Sequence, residues 1–375
     1  MEMKNKDLTI LLIIKGRDLY TLRWLYYANE IKLPYDIYIA DGKPNKKIIQ
    51  ILENKNNFPH INYKHVLYDD SSYKMFYQKI FNSLENINTK YVMFSDNDDF
   101  LMPKGINKNV EFLNLNKDYI GASGIIGFFQ ISNEKMKLEK SLLGTPNFAF
   151  YNEGAYKPRS INKKTILERI QMASELYNIT YYSVFRTEKI KNIAKENLEN
   201  NFNSLLTMEN FFHLKALSLG KIHFENNYSS YIRQVSTSDN NDTHENIFTN
   251  IENGKLIQDF YNLTYTILEN KIIPNKDKAF IKEKISIVLG KYYNSINDKN
   301  LAHQIKLKNK TRIFFRNILK FVYPNYRYFL SKTRRLKEFK KLNIKIENNE
   351  DLKSIEKILN SDTLFKFIKS KDIAN

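Results

Sequence analysis

Two hydrophobic periods alternate over the first hundred residues of the chain. Short, mostly apolar runs of strand length are "LTILLII" (8–14), "YDIYIAD" (35–41), "INYKHVLY" (61–68) and "KYVMFSD" (90–96). Apolar residues at helical spacing occupy the stretches between them, "YTLRWLYYANEI" (20–31), "KKIIQILENK" (46–55) and "KMFYQKIFNSLENI" (74–87). Strands separated by crossover helices predict an α/β domain with a mostly parallel sheet flanked by helices.

The middle third of the chain is less regular. It contains an apolar stretch interrupted by glycines (119–131), a helical pattern (162–176), and a strand that enters a helix (179–188) with Thr187 as the candidate cap. Residues 205–234 predict a helix closed by Gly220 and then one or two strands. The chain beyond residue 246 has helical patterning, so we predict an α/β domain over 1–245 and a mainly α-helical C-terminal extension over 246–375.

Polar loops follow the predicted strands. Ligands of parallel sheets bind beyond the carboxyl ends of the strands, which is where "KGRD", "ADGK" and "SDNDD" fall. The last of these carries Asp96, Asp98 and Asp99, and three carboxylates together need a cation or a set of donors to offset their repulsion. Asp96 and Asp98 alternate in an extended segment and so face one site, which suits Mg²⁺ or Mn²⁺ held with a substrate phosphate. The alternative is an ordinary acidic turn that caps a following helix.

Composition limits the chemistry further. The 375 residues include no cysteine, so disulfides, thiolate metal sites and cysteine nucleophiles are excluded, and a reducing compartment is favoured. The longest apolar runs, such as "ILLII", are far shorter than the ~20 residues that cross a bilayer. The N-terminus lacks the small-residue cleavage site of a signal peptide. We therefore expect a cytoplasmic protein.

Positive charge is concentrated near the end of the chain. Residues 303–341 hold thirteen lysines or arginines and one acid, Glu338, and so carry twelve of the eighteen net positive charges. Within this basic segment, Phe and Ile residues at helical spacing can share one face of a helix. Cations such as Arg312 and Arg316 can share another face. This pattern suits an anionic membrane surface. The alternative is an accessory helix that packs its apolar side on the domain and leaves its lysines solvated.

Three motifs, in order, resemble the GT-A fold nucleotide-sugar glycosyltransferases, particularly the inverting family 2. "YVMFSDNDDFLMPKGI" resembles their Asp-x-Asp-Asp segment, and "IYIADGK" resembles the end of their second strand. "TMENFFHLKALSLGKI" with "YIRQVSTS" resembles their acidic motif before a helix and the strand that follows it. The resemblance covers about residues 7–240. It implies a GT-A, Rossmann-like fold, a nucleotide-sugar donor and a divalent metal ion.

The resemblance implies roles for individual residues. Asp41 would accept a hydrogen bond from the base or ribose of the nucleotide, and Arg17 would contact the nucleotide as well. Asp96 would lie near the ribose or a metal-bound water, and Asp98 would ligate the ion that bridges the diphosphate. The catalytic base of the family is an acid in a Glu-Asp pair, which here reads Glu209-Asn210, so Glu209 is the expected base.

Some assignments stay open at this stage. The family often has a metal- or phosphate-binding His near the end of the catalytic domain, where this chain has Arg233, with His244 further along. Arg233 is the preferred diphosphate contact. If Glu209 is not the base, Asp239 or Asp242 is next in line. His213 and the aromatic-rich stretches "YKMFYQKIF" and "ITYYSVF" are given no role.

The resemblance therefore predicts a glycosyltransferase that moves a sugar from a nucleotide-sugar to a hydroxyl acceptor by metal-assisted inverting displacement. A UDP-sugar is the first candidate donor. The acceptor is expected to be a glycan or a lipid-linked glycan of a bacterial capsule or lipopolysaccharide. The basic segment would hold the protein peripherally on the inner face of the cytoplasmic membrane.

Two other classes compete with this interpretation. A nucleic-acid-binding protein would explain the sequence pI of about 9.5 and the basic segment, although the converging loops carry acids. A sugar nucleotidyltransferase would need a glycine-rich phosphate loop near the first strand, where "IKGRDL" has one glycine. We expect no nucleic-acid partner. The oligomeric state, the donor sugar and the linkage cannot be read from the sequence.

Overall fold

A computed structural model describes residues 7–43, 45–134, 141–150, 158–175, 180–234, 255–269, 273–289 and 350–371. The basic segment, His244, Asp239 and Asp242 lie outside these ranges, and so does the predicted domain boundary near residue 245. Among the described residues, nine strands form one sheet with helices packed against it.

The first half of the domain is built as the sequence predicts. Its elements are β1 (Leu8–Ile14), α1 (Asp18–Glu30), β2 (Asp36–Asp41), α2 (Lys46–Glu53), β3 (Asn62–Leu67), α3 (Tyr73–Glu85) and β4 (Tyr91–Ser95). β1 pairs in parallel with β2 and β4, and β2 pairs in parallel with β3. β1 and β4 are buried almost throughout because helices cover both faces of the sheet, which explains their continuous apolar sequences.

The second half extends the sheet in a mixed arrangement. Its elements are β5 (Phe100–Leu101), α4 (Pro103–Leu115), β6 (Tyr119–Glu134), β7 (Gly144–Phe150), α5 (Ile166–Glu175), β8 (Val184–Arg186), α6 (Thr187–Asn200), α7 (Leu205–Leu219) and β9 (Lys221–Gln234). The sheet order is β3-β2-β1-β4-β8-β6-β9-β5, and β7 pairs with β6. β8 runs antiparallel between β4 and β6, whereas β6 and β9 are parallel.

The glycine-interrupted stretch of the sequence is one long strand, β6. A Cβ atom at Gly124 would lie 2.5 Å from the carbonyl oxygen of Tyr228 in β9, and one at Gly127 would lie 2.5 Å from the ring of Phe150 in β7. The glycines therefore let neighbouring strands approach closely and do not end the element. The prediction that Thr187 caps α6 is wrong: the N-cap residue is Arg186, with no side-chain cap bond, and Thr187 is the first helical residue.

The described parts of the C-terminal region are helical, as predicted, and pack on the domain. They are α8 (Lys255–Leu268), α9 (275–289), α10 (Glu350–Leu359) and α11 (Asp362–Ser370). Asp259 in α8 accepts hydrogen bonds from the backbone and side-chain nitrogens of Asn203, at 2.7 and 2.9 Å. The ring of Phe367 in α11 lies 5.8 Å from that of Tyr26 in α1. None of the described helices is long and apolar enough to cross a bilayer.

Because α11 buries Ile368 in the same core as α1, the C-terminal helices contribute to the stability of the whole fold. We expect Ile368→Ala to lower the free energy of unfolding by about 2–4 kcal/mol, the usual cost of truncating a buried isoleucine. Lys366→Ala, on the exposed side of the same helix, is the matched control and should change it by less than about 0.5 kcal/mol. Denaturant unfolding measures both, and equal stability of the two variants would show that α11 is not docked.

Candidate functional site

A cleft of about 730 Å³ opens where β1 and β4 end. Its lining includes Ile13 and Ile14 at the end of β1, Lys15 and Arg17 after it, residues 70–73 before and at the start of α3, residues 96–98 after β4, and Arg233 near the end of β9. Carboxyl ends of adjacent parallel strands meet at the same edge of a sheet, so loops far apart in sequence converge here. Two of the three polar loops that the sequence analysis places together, "KGRD" and "SDNDD", line this cleft, whereas "ADGK" does not.

The acid segment, residues 96–99, connects β4 to β5 at this edge. Because the buried strands on both sides fix its ends, the segment turns within four residues. Oxygen atoms of Asp96, Asp98 and Asp99 lie within 4.8 Å of one another. The structure thus brings together Asp96 and Asp98, the two predicted metal ligands, and adds Asp99, which the sequence did not single out from its neighbours.

Burial and mutual repulsion act on these carboxylates. Burial raises the pKa of Asp96, Asp98 raises it further, and a hydrogen bond from Tyr182 lowers it. Burial and then Asp98 also raise the pKa of Asp99 well above its ordinary range, against the effect of Arg233. Burial and mutual repulsion thus both disfavour the charged forms of these carboxylates.

Two arginines provide part of the compensation. Arg17 places Nη1 at 2.9 Å from Asp98 Oδ2, and Arg233 places Nε at 3.6 Å from Asp99 Oδ2. Asp99 Oδ1 accepts a hydrogen bond from the backbone nitrogen of Gln234 at 2.7 Å. Asp99 Oδ2 is buried and accepts no hydrogen bond. A buried carboxylate oxygen without a donor, close to two further carboxylates, fits an oxygen-ligated divalent cation such as Mg²⁺ or Mn²⁺.

Two tyrosines hold Asp96, although the sequence analysis assigns no role to the stretch that contains Tyr182. The hydroxyl of Tyr182 donates to Asp96 Oδ2 at 2.6 Å, and the hydroxyl of Tyr231 accepts from the backbone nitrogen of Asp96 at 3.1 Å. Their rings stack with centroids 4.4 Å apart, and the guanidinium of Arg233 lies 4.8 Å from the ring centre of Tyr182. The stack therefore fixes Asp96 and Arg233 relative to each other.

Arg23, on the buried face of α1, fixes the backbone of the acid segment. Its side chain is fully buried and donates to the carbonyl oxygen of Asp98 at 2.6 Å, to that of Leu142 at 3.0 Å, and to Gln234 Oε1 at 2.8 Å. Burial lowers the pKa of Arg23 to about 10, so the group stays charged at neutral pH. The signal in the sequence was an arginine within the apolar pattern "LYTLRWLYY".

Asp41 is buried at the end of β2, beside the cleft. Its Oδ2 lies 3.1 Å from His65 Nε2, and its Oδ1 accepts from the backbone nitrogen of Lys43 at 3.0 Å. Among the described residues, Asp70 lines the cleft and Asp41 does not. Both oxygens of Asp41 thus have partners within the protein, one in β3 and one in its own loop, and its predicted contact with a nucleotide stays a prediction.

Asp70 ties the ends of three elements together. Lys79, fully buried on α3, places Nζ at 2.5 Å from Asp70 Oδ2 and donates to the carbonyl oxygen of Ile14 at 3.1 Å. Lys15 Nζ lies 3.5 Å from Asp70 Oδ1. Gly42 packs so tightly on Asp70 that a Cβ atom would lie 2.3 Å from its side chain. The sequence analysis missed this cluster because its members are 55 and 9 residues apart.

Glu209 lies on α7, near the acid segment. The side chain is open to solvent, yet the protein around it is close enough for desolvation to raise its pKa, with Arg233 lowering it and Asp96 raising it. The adjacent Asn210 is buried. His213, one turn further along α7, lies 3.1 Å from Thr180 Oγ1, and burial lowers its pKa to about 4, so it is neutral at pH 7. Of these three residues on α7, Glu209 alone combines exposure to solvent with a titratable group.

No family model matches the sequence, and no curated protein matches it either. Among solved structures, S. aureus TarS 1–349 in complex with UDP-GlcNAc is 13% identical over 81% of this chain and 77% of that chain, with a TM-score of 0.51. The mannosyltransferase PcManGT from Pyrobaculum calidifontis in complex with GDP-Man and Mn²⁺ is 9% identical over 90% of this chain and 87% of that chain, with a TM-score of 0.43. At such identities the likeness to TarS concerns the fold, and the α/β architecture of GT-A type predicted from the sequence is confirmed.

Proposed function

We propose that the chain is a glycosyltransferase that moves a sugar from a nucleotide-sugar donor to a hydroxyl acceptor with inversion at the anomeric carbon. The acid segment carries the proposal: three carboxylates around the hydrogen-bond-free Asp99 Oδ2 lie in a cleft at the edge of the sheet. The fold is shared with a protein whose structure holds UDP-GlcNAc. A UDP-sugar is the first candidate donor on these grounds.

Asp98 and Asp96, with Asp99 beside them, would hold a divalent cation. Such an ion supplies charge that offsets the negative charge on a departing diphosphate. Arg17 and Arg233 both line the cleft and present guanidinium groups, which pair well with phosphate oxygens. The carboxylates and Arg233 are held in position before a donor binds by Tyr182, Tyr231 and Arg23. This limits reorganisation during the reaction.

Glu209 is the proposed base. Its carboxylate would take the proton of the acceptor hydroxyl as that oxygen bonds to the anomeric carbon and the bond from that carbon to the diphosphate breaks. The raised pKa of Glu209 makes it a stronger base than an ordinary glutamate, and its exposure leaves it accessible to an acceptor. Arg233 acts in the opposite direction and lowers this pKa.

The acceptor and the location belong to the proposal as well. We propose a glycan or lipid-linked acceptor of a bacterial capsule or lipopolysaccharide, and a cytoplasmic protein that lies peripherally on the inner face of the membrane. The supporting observation is the charge of the basic segment, 303–341. The described helices nearest to that segment in the sequence are α9 before it and α10 after it, and α10 packs near α1 and β7.

Asp98→Asn tests the metal site. We expect the variant to lose the part of nucleotide binding that depends on Mn²⁺, because an amide oxygen is a weaker ligand and carries no charge. The shift in melting temperature with UDP, measured with and without Mn²⁺, reports this loss. Glu188→Gln, an exposed acid on α6, is the control and should behave as the unaltered chain. An unchanged Mn²⁺ dependence in Asp98→Asn would remove this residue from the site.

Glu209→Gln tests the base. Turnover should fall by ~10² or more while donor affinity changes little, the usual size of a general-base contribution. Because the base acts deprotonated and its pKa is raised, the unaltered protein should lose activity on acidification at a higher pH than an ordinary glutamate would give. Glu199→Gln, exposed on α6, is the control. Near-normal turnover in Glu209→Gln would move the role to another acid, with Asp239 or Asp242 examined next.

Vesicle co-sedimentation tests the membrane surface. Ending the chain near residue 300 would also remove α10 and α11, so a charge-neutralised full chain is the better variant. We would change six cations of the basic segment to Gln: Arg312, Arg316, Lys320, Lys332, Arg334 and Arg335. The matched control changes six lysines elsewhere: Lys276, Lys278, Lys282, Lys353, Lys357 and Lys366.

The unaltered chain and the control should sediment with anionic vesicles, less so as salt rises, and not with neutral vesicles. The basic-segment variant should lose most of this binding, since each cation near an anionic surface contributes about 1 kcal/mol. Equal binding by the two variants would return the segment to the alternative of a solvated accessory helix.

A further inference from the structure

Arg17 has an unusual backbone conformation at the edge of the cleft. It lies between β1 and α1 with φ 56° and ψ 47°, the left-handed region, which costs a residue with a Cβ atom roughly 1–2 kcal/mol. The acid segment helps to hold it there: Asn97 Nδ2 lies 3.3 Å from the carbonyl oxygen of Arg17 and 2.9 Å from Thr21 Oγ1. Strained residues that the surrounding structure maintains tend to cluster at functional sites.

The guanidinium of Arg17 points at the acid segment. Nη1 lies 2.9 Å from Asp98 Oδ2, and the group also lies 4.2 Å from the ring centre of Tyr20. The side chain of Arg17 is 28% exposed and that of Asp98 16%, so solvent and solutes reach the pair. Asp98 is therefore paired with a cation that the protein itself provides.

The other two carboxylates of the cluster are held differently. Asp96 is bound by the hydroxyl of Tyr182, which is neutral, and Asp99 lies 3.6 Å from Arg233 but has its shortest contact, 2.7 Å, with a backbone nitrogen. Asp98 thus has the shortest contact with a charged partner. A divalent cation bound to the same carboxylate would lie within a few ångströms of this guanidinium, and two cations at that distance repel strongly.

We infer that Arg17 is a displaceable counter-ion of Asp98, which must leave that carboxylate when a divalent cation and the diphosphate of the donor bind together. The inference rests on the proposed function. Because Arg17 lines the same cleft, the released guanidinium can pair with the diphosphate. The cation and the nucleotide then bind cooperatively, since each favours the same released position of Arg17. Arg17 thereby couples the binding of the two ligands.

The test measures Mn²⁺ binding alone, by the electron paramagnetic resonance signal of free Mn²⁺ in a titration of the full chain, and repeats it with UDP present. R17Q removes the positive charge beside Asp98. R17K keeps a positive charge but lacks the planar guanidinium group. K15Q is the matched control, because Lys15 lines the same cleft two residues away and pairs with Asp70 instead of the acid segment. It corrects for the loss of one positive charge near the cation.

R17Q should bind Mn²⁺ alone about fivefold more tightly than the unaltered chain, the size expected for loss of one partly exposed ion pair. K15Q should stay within about twofold, and R17K should lie between R17Q and the unaltered chain. UDP should increase Mn²⁺ affinity about fivefold less in R17Q than in the unaltered chain, because the freed guanidinium is missing. This last readout separates coupling from a simple change in charge.

Equal Mn²⁺ affinity in R17Q and K15Q would overturn the counter-ion role and leave the proposed transferase standing. The same conclusion would follow if UDP raised Mn²⁺ affinity equally in R17Q and in the unaltered chain. If the unaltered chain bound no Mn²⁺ with or without UDP, both this inference and the metal-assisted transfer would fall. The melting temperatures of all variants establish that each is folded.

Discussion

Compensation of the charge on the acid segment is the constraint on which the rest of the site depends. Oxygens of three carboxylates lie within 4.8 Å of one another at the end of a buried strand, and burial makes their repulsion stronger than it would be in water. Neighbouring elements provide donors or cations to each of them: Arg17 before α1, Tyr182 before β8, and Arg233 with the backbone of Gln234 in β9. Asp99 Oδ2 accepts no hydrogen bond, so its compensation is the least complete of the cluster.

Buried side chains on the helices also hold these groups in position. Arg23 fixes the carbonyl of Asp98 from within α1, and the Lys79–Asp70 pair fixes the end of β1 to the start of α3. Both are fully buried cations with several acceptors, an arrangement that is tenable because the hydrogen bonds offset the cost of removing charge from water. Rigid anchors of this kind let partly exposed residues such as Arg17 move without loss of the surrounding geometry.

The sequence predicted local features well and contacts poorly, for physical reasons. The strands and helices of the first hundred residues follow from the hydrophobic period, and the acid segment follows from an apolar run that ends in carboxylates. Tyr182 could not be assigned a role, because an aromatic residue in an apolar stretch is usually part of the core, and its hydroxyl contact depends on the antiparallel position of β8 beside β4. Lys79 reaches the carbonyl oxygen of Ile14, and Lys15 reaches Asp70, because α3 packs against β1. The pairing of Arg17 with Asp98 spans 81 residues and has no local signature.

The C-terminal helices connect with the site through α1. This helix begins after Arg17 and carries Arg23 on its buried face. The ring of its Tyr26 packs near the ring of Phe367 in α11. Phe58, which follows α2, contacts the same ring at 5.9 Å, so α11 closes over the first two helices of the domain. The end of the chain thus packs against the element that positions two of the arginines around the acid segment. A region outside the residues that carry the sequence motifs is therefore part of the packing around the element that carries Arg23 and follows Arg17.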